Sequence, residues 1–210
     1  MLILSILKKL SRATALAAII FLGINGTARA ATLTFDDIFT TDQQVIFNGY
    51  GGLNWNHFSV RNNLVASPRS GYNKGTVSGQ YVAYNSFAKP ATISVAKGQF
   101  DFNSVYLTAA WNNGLNILVE GFNGGVTKYS KTVTVNTVAP TLFNFDFQGI
   151  DRLKFTSSGG TYAGVGGRGE QIAIDNFTFN TTKSVPEPIS VLGLLTFGAL
   201  GATCALKRKR

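Results

Sequence analysis

The chain has 210 residues, enough for one or at most two domains, with 16 Phe to fill a core and 23 Gly to supply turns. Its net charge of +9 is concentrated at the ends: Lys8, Lys9, Arg12 and Arg29 lie near the start and residues 207–210 are all basic, whereas residues 31–185 hold 11 Lys/Arg against 9 Asp/Glu. That balance excludes a nucleic-acid reader with a basic face on the folded domain, and the single cysteine, Cys204 in the apolar tail, excludes disulfides and thiolate zinc in the middle of the chain.

In chain order, residues 1–30 read as a signal peptide. Lys8, Lys9 and Arg12 form the positive region, residues 13–23 the apolar one, and Ala28 and Ala30 place small residues where signal peptidase reads, with cleavage before Ala31. An uncut short anchor is the alternative, but the apolar run is short for a span.

Residues 31–180 read as an all-β ectodomain. Strand-like runs occur at 32–35, 92–95, 105–108, 116–119, 132–135, 142–147, 153–156 and 172–179. Turn signals separate them: Asn48-Gly49, Gly51-Gly52, Asn113-Gly114, Asn123-Gly124-Gly125, residues 158–160 and the glycine-rich stretch 164–169. No window outside the terminal apolar segments keeps a 3.6-residue period. The pattern predicts an antiparallel two-sheet sandwich of jelly-roll type, each sheet presenting Phe, Val and Ile to the core and Thr, Asn and Lys to water.

Residues 181–188 form a linker containing Pro186, Glu187 and Pro188. An almost wholly apolar run, 189–206, follows, and then the basic tail 207–210. Eighteen residues at about 1.5 Å each span roughly 27 Å, near the hydrocarbon thickness of a bilayer. The terminal cations orient such a transmembrane helix with its tail cytoplasmic and the ectodomain outside. The two prolines make a stiff neck before it.

The order of motif, span and basic tail over residues 185–210 resembles the PEP-CTERM sorting signal. The resemblance implies recognition by an exosortase-type membrane cysteine protease, cutting near Pro186, Glu187 and Pro188 and passing the domain to the cell surface or matrix. It also brings that family's association with exopolysaccharide-producing bacteria. The segments YGGLNW at 50–55, DFNSVYLTAAWNNG at 101–114 and GIDRLKF at 149–155 resemble stretches of other ectodomains that carry this signal, whose function is uncharacterised. AIDNFTF at 173–179 is similar to the last strand of many galactose-binding-like jelly rolls. These likenesses imply the fold alone.

Nothing in residues 31–180 reads as catalytic machinery. His57 is the only histidine, there is no Gly-x-Ser-x-Gly elbow, and no thiol lies in the domain. The expectation is a non-enzyme. Asp36 and Asp37 follow the first predicted strand and Asp175 lies in the last. If those strands run side by side, the carboxylates converge on a structural calcium ion, which takes oxygen ligands; the alternative is that they shape turns and cap backbone groups at a bulge.

Sugar recognition needs an aromatic platform beside planar polar groups. Trp55, Asn56 and His57 after a glycine-rich turn, Trp111, Asn112 and Asn113 at a strand end, and Tyr72 between Gly71 and Gly75 offer that combination. Both tryptophans also suit core packing, Trp111 the more so because it continues an alternating strand. Two functions remain open at this point: a carbohydrate-binding module for an exopolysaccharide, and a structural or adhesion matrix protein without a small ligand, acting through protein contacts or sheet edges.

Overall fold

The computed structural model describes residues 30–181. Ala28, the sorting motif Pro186, Glu187 and Pro188, the apolar run 189–206 and the basic tail all lie outside the described residues. Among the described residues no helix is long and apolar enough to cross a membrane.

The alternating runs become strands that turn most of their apolar positions inward. Among the described residues fourteen strands form: β1 (Ala30–Leu33), β2 (Gln43–Val45), β3 (Asn54–Asn56), β4 (Phe58–Asn62), β5 (Tyr81–Asn85), β6 (Ala91–Ser94), β7 (Phe100–Ala109), β8 (Asn112–Asn113), β9 (Leu115–Asn123), β10 (Val126–Val135), β11 (Thr141–Ile150), β12 (Arg152–Ser158), β13 (Thr161–Tyr162) and β14 (Ile172–Thr181). One sheet runs β11-β7-β14-β5-β4-β2, with β1 added to β14. The other runs β10-β9-β12-β6-β3, and β8 pairs with β13 in a small ribbon. Every pairing is antiparallel. The domain is the antiparallel two-sheet jelly-roll sandwich that the sequence predicts.

Register follows the apolar pattern, because a one-residue slip would turn each core set outward. In β10, Val133 and Val135 are buried while Thr132 and Thr134 face water. The β9–β10 hairpin closes through Gly124 and Gly125, both with positive φ (58° and 80°). A two-residue turn of that hand suits the twist of antiparallel strands and needs glycine. Between the sheets lies a phenylalanine stack. Phe102 lies parallel to Phe145 and Phe177, 4.9 Å from each, and edge-on to Phe155. Each such buried ring contributes about 1.5–3 kcal/mol through lost water contact.

The larger sheet is covered on its outer face as well. On β4, β5, β7 and β14 one set of side chains (Phe58, Val60, Tyr81, Ala83, Leu107, Ile174) enters the main core. The opposite set supplies a second, smaller cluster, in which Val82, Tyr84 and Ala173 meet Ala66 and Tyr72 from the β4–β5 connection. That connection contains the one-turn helix α1 (Gly71–Lys74). This explains why β5 is buried at all five positions: both of its faces are covered, so it lacks the alternation that marks a half-buried strand.

Candidate functional site

A cleft of about 840 Å³ opens on the outer face of the larger sheet, beside the β4–β5 connection. Strands β2, β4 and β5 supply its floor through Gln43, Arg61 and Tyr84. One wall is Tyr72 on α1 with Trp111, which follows β7. His57, Phe87 and Lys89 supply a further part of the lining.

The aromatic wall is held by edge-to-face contacts. Tyr72 lies 5.2 Å from Trp111 at 88° and 5.2 Å from Tyr84 at 65°. Tyr84 donates its hydroxyl hydrogen to Gln43 Oε1 at 2.7 Å. The Arg61 guanidinium sits 5.5 Å from the Tyr72 ring centroid. Burial pushes the phenols of Tyr72 and Tyr84 above their ordinary range. Gly167 passes close against the Trp111 ring, where an added Cβ would come within 2.5–2.7 Å of three ring carbons.

The part of the lining that holds His57 and Phe87 carries backbone strain. Among the described residues six non-glycine positions have positive φ, and three of them are His57 (59°), Phe87 (58°) and Ala88 (56°). The left-handed conformation costs an L-residue roughly 1–2 kcal/mol. Here it is over-determined by hydrogen bonds: the Ser86 N–H donates to the His57 carbonyl at 2.8 Å, the Lys89 N–H to the Ser86 carbonyl at 3.1 Å, and Asn85 Nδ2 to the Lys89 carbonyl at 3.2 Å. The outcome is a phenylalanine ring held out into water, Phe87 being 85% exposed. Strain that presents an apolar ring to solvent marks a functional surface better than a packing one.

The fold brings several of the sequence-predicted ligand residues to this cleft. Asn56, His57, Tyr72 and Trp111 line it. Trp55 lines it as well, but as a buried side chain. Its ring is only 5% exposed, packs edge-on against Phe35, Phe58 and Phe177, and donates Nε1–H to the Tyr50 carbonyl at 2.9 Å. Trp55 therefore offers no exposed platform. Tyr72, expected in an open turn, is buried in α1. His57 Nδ1 is 2.9 Å from the Pro90 carbonyl oxygen. Asn112 and Asn113 do not line the cleft. Asn112 Nδ2 donates to the Gly159 carbonyl, and Asn113 Oδ1 accepts from the Thr137 N–H and hydroxyl.

Residues that sequence reading missed complete the cleft: Arg61, Tyr84, Phe87, Lys89 and Arg168. Arg61 and Tyr84 sit on the outward side of strands whose inward side is also buried. Phe87 depends on a backbone conformation that its sequence does not announce.

Of the expected calcium ligands, Asp36 and Asp175 do converge, but on the peptide N–H groups of one loop. Asp175 Oδ2 accepts from Val77 (2.6 Å) and Ser78 (3.0 Å), and its Oδ1 accepts from Asn176 (2.7 Å). Asp36 Oδ1 accepts from Gln80 (2.8 Å) and Tyr81 (3.2 Å). Asp37 is turned away and accepts from the Tyr50 hydroxyl at 2.7 Å. Burial raises the Asp175 carboxyl to about 6 despite these donors. Among the described residues no group of three or more His, Cys, Asp or Glu is placed to hold a metal ion. This donor set fits a peptide clamp better than a calcium cage, which needs oxygens turned toward the ion.

No protein-family model matches this chain, and no curated protein does either. Among solved structures, the chain is similar to the carbohydrate-binding module TmCBM61 in complex with β-1,4-galactotriose, at 12% identity over 64% of this chain and 94% of that one, with a TM-score of 0.33. A CBM4 structure is similar at 13% identity over 75% and 81% of the two chains, with a TM-score of 0.31. The CBM51 from Clostridium perfringens GH95, in complex with methyl-galactose, is similar at 8% identity over 71% and 99%, with a TM-score of 0.35. These likenesses are remote, and the functional reading rests on the cleft.

Proposed function

We propose that residues 31–180 form a non-catalytic carbohydrate-binding module, carried to the cell surface or extracellular matrix by the PEP-CTERM-like tail after removal of the signal peptide. Its ligand would be an exopolysaccharide. The observation that carries the binding reading is the cleft itself: an exposed Phe87 and the Trp111 ring both line it, and Gln43, Arg61 and Asn56 supply planar polar groups. A sugar ring has an apolar C–H face for the aromatic and equatorial hydroxyls for the planar groups. A volume of about 840 Å³ falls within the roughly 300–1,000 Å³ typical of ligand sites.

The test is a glycan array probed with the full-length chain in detergent. Selective retention that is lost in Phe87→Ala and Trp111→Ala supports the reading. Retention unchanged in both variants, or none at all, removes it and favours a matrix protein acting by protein contacts. The proposed processing partners are signal peptidase at Ala30–Ala31 and an exosortase-type protease near Pro186, Glu187 and Pro188.

A further inference from the structure

The cleft carries a charge that the domain as a whole does not. Between Ala30 and Thr181 there are ten Lys/Arg and nine Asp/Glu, so the domain is close to neutral. Three of those cations, Arg61, Lys89 and Arg168, line the cleft, and among the described residues no Asp or Glu lines it. The carboxylate nearest to neutralising them is Asp42, 3.4 Å from one terminal nitrogen of Arg61 and more than half exposed. It engages a single tip of the guanidinium fork. Arg61 Nε is shielded from water and has no hydrogen-bond partner.

Two of these cations are also positioned by aromatic faces. Arg61 lies over Tyr72, and Arg168 lies over Tyr162 with 5.0 Å to the ring centroid. A guanidinium cation held near an aromatic face is attracted by the ring while its N–H groups stay available as donors to a ligand. Such a planar fork matches the two oxygens of a carboxylate or the face of a sulfate. A site built for neutral sugars alone would also need acceptors for hydroxyl protons, and carboxylates do that best. Here Gln and Asn side chains supply the acceptors and the charged groups are all donors.

We infer that the cleft selects an acidic polysaccharide, with an oxyanion substituent on the sugar, a uronate carboxylate or a sulfate ester, accepted by Arg61 in the field of Arg168 and Lys89. This inference rests on the carbohydrate-binding reading and narrows its ligand class.

The experiment is affinity electrophoresis of the full-length chain in detergent, run against neutral β-galactan, polygalacturonate, methyl-esterified polygalacturonate and a sulfated galactan. Salt is kept near 0.15 M, where the screening length is about 8 Å and diffuse attraction is suppressed. The expected result is retention at least about tenfold stronger on one acidic polymer than on galactan and the methyl ester, reduced at least about fivefold by Arg61→Gln and by Lys89→Gln but not by Lys97→Gln. Lys97 is an exposed cation outside the cleft, and Lys89 is an exposed rim residue that serves where Arg61→Gln disturbs the fold. The uronate and sulfate arms identify which oxyanion is read. Equal retention on neutral and acidic polymers overturns the inference and leaves sugar binding standing. An acid preference that Lys97→Gln weakens as much as Lys89→Gln does is diffuse charge attraction and also overturns it. Retention by none of the four polymers removes the inference along with the sugar-binding reading on which it stands.

Discussion

The indole of Trp111 stands perpendicular to the ring of Tyr72, 5.2 Å away, and so turns one wall of the cleft into a rigid aromatic corner. The other tryptophan borders the cleft only as a buried ring: Trp55 meets Phe35, Phe58 and Phe177 inside the sandwich.

The two tryptophans therefore separate stability from binding. Trp55→Ala should cost about 3–5 kcal/mol in chemical denaturation, as for other large core rings. Trp111→Ala should cost roughly 1–2 kcal/mol and weaken glycan retention at least tenfold, about the effect of a hot-spot aromatic. Gly167→Ala should resemble Trp111→Ala in binding, because its Cβ meets the indole. Equal stability losses for the two tryptophans would contradict the division.

Phe87 offers a sharper separation, since the two effects carry opposite signs. Phe87→Gly relieves a left-handed backbone at φ 58° and removes a ring that packs on little, so thermal stability should rise or hold, by about 0–1 kcal/mol. Glycan retention should fall by about tenfold or more. A variant that melts well below the parent would show that the ring is a packing element.

Asp175 sets a pH dependence whose sign follows from its raised carboxyl. The unfolded group titrates near 3.8 and the folded one near 6. Between those values the folded chain holds a proton that the unfolded chain has released, so folding stability falls as pH rises through this window. The full contribution, on the order of 2–3 kcal/mol, is gained as pH drops from above 6 to below 3.8. Urea titrations at stepped pH should show this slope in the parent and not in Asp175→Asn, whatever that variant's absolute stability.

The same carboxylate decides the calcium question. As a clamp on the Val77, Ser78 and Asn176 N–H groups, Asp175 needs no ion, and a calcium chelator should leave the melting temperature unchanged. A melting temperature that drops on chelation and recovers with calcium, but not in Asp175→Ala, would assign Asp36 and Asp175 to a bound ion.

Export and sorting are testable in the producing cell. An antibody to the domain should find a longer species in the membrane fraction and a shorter one at the surface or in the matrix. Glu187→Ala should accumulate the longer species. A full-length product soluble in the cytoplasm, with both ends intact, would end the sorting proposal.

The strands legible in the sequence are those with one wet face. Alternation at 132–135 and 142–147 puts Val133, Val135, Phe145 and Phe147 inside as read, because a period of two maps directly onto the two sides of a pleated strand. Strands β2, β3, β8 and β13, of two or three residues, are too short to show a period, and β4 and β5 were missed too. The β4–β5 connection covers their outer face, so their residues look neither alternating nor separable from loop. Trp55 and Trp111 are the same residue type in similar polar surroundings, and neither sequence context says which ring the second sheet will cover.

The sequence alone established the all-β class, the turn positions and the separation of charged ends from a near-neutral middle, since composition and short-range periodicity reflect local backbone preferences and burial. The cleft needed the tertiary structure. Residues as far apart as Arg61, Phe87, Trp111 and Arg168 become neighbours only when β4 and β5 pair, the connection folds over them and the glycine-rich loop closes against Trp111. Contacts between residues distant in the chain leave no periodic trace in it, and the strained backbone that exposes Phe87 is held by hydrogen bonds to a different strand end.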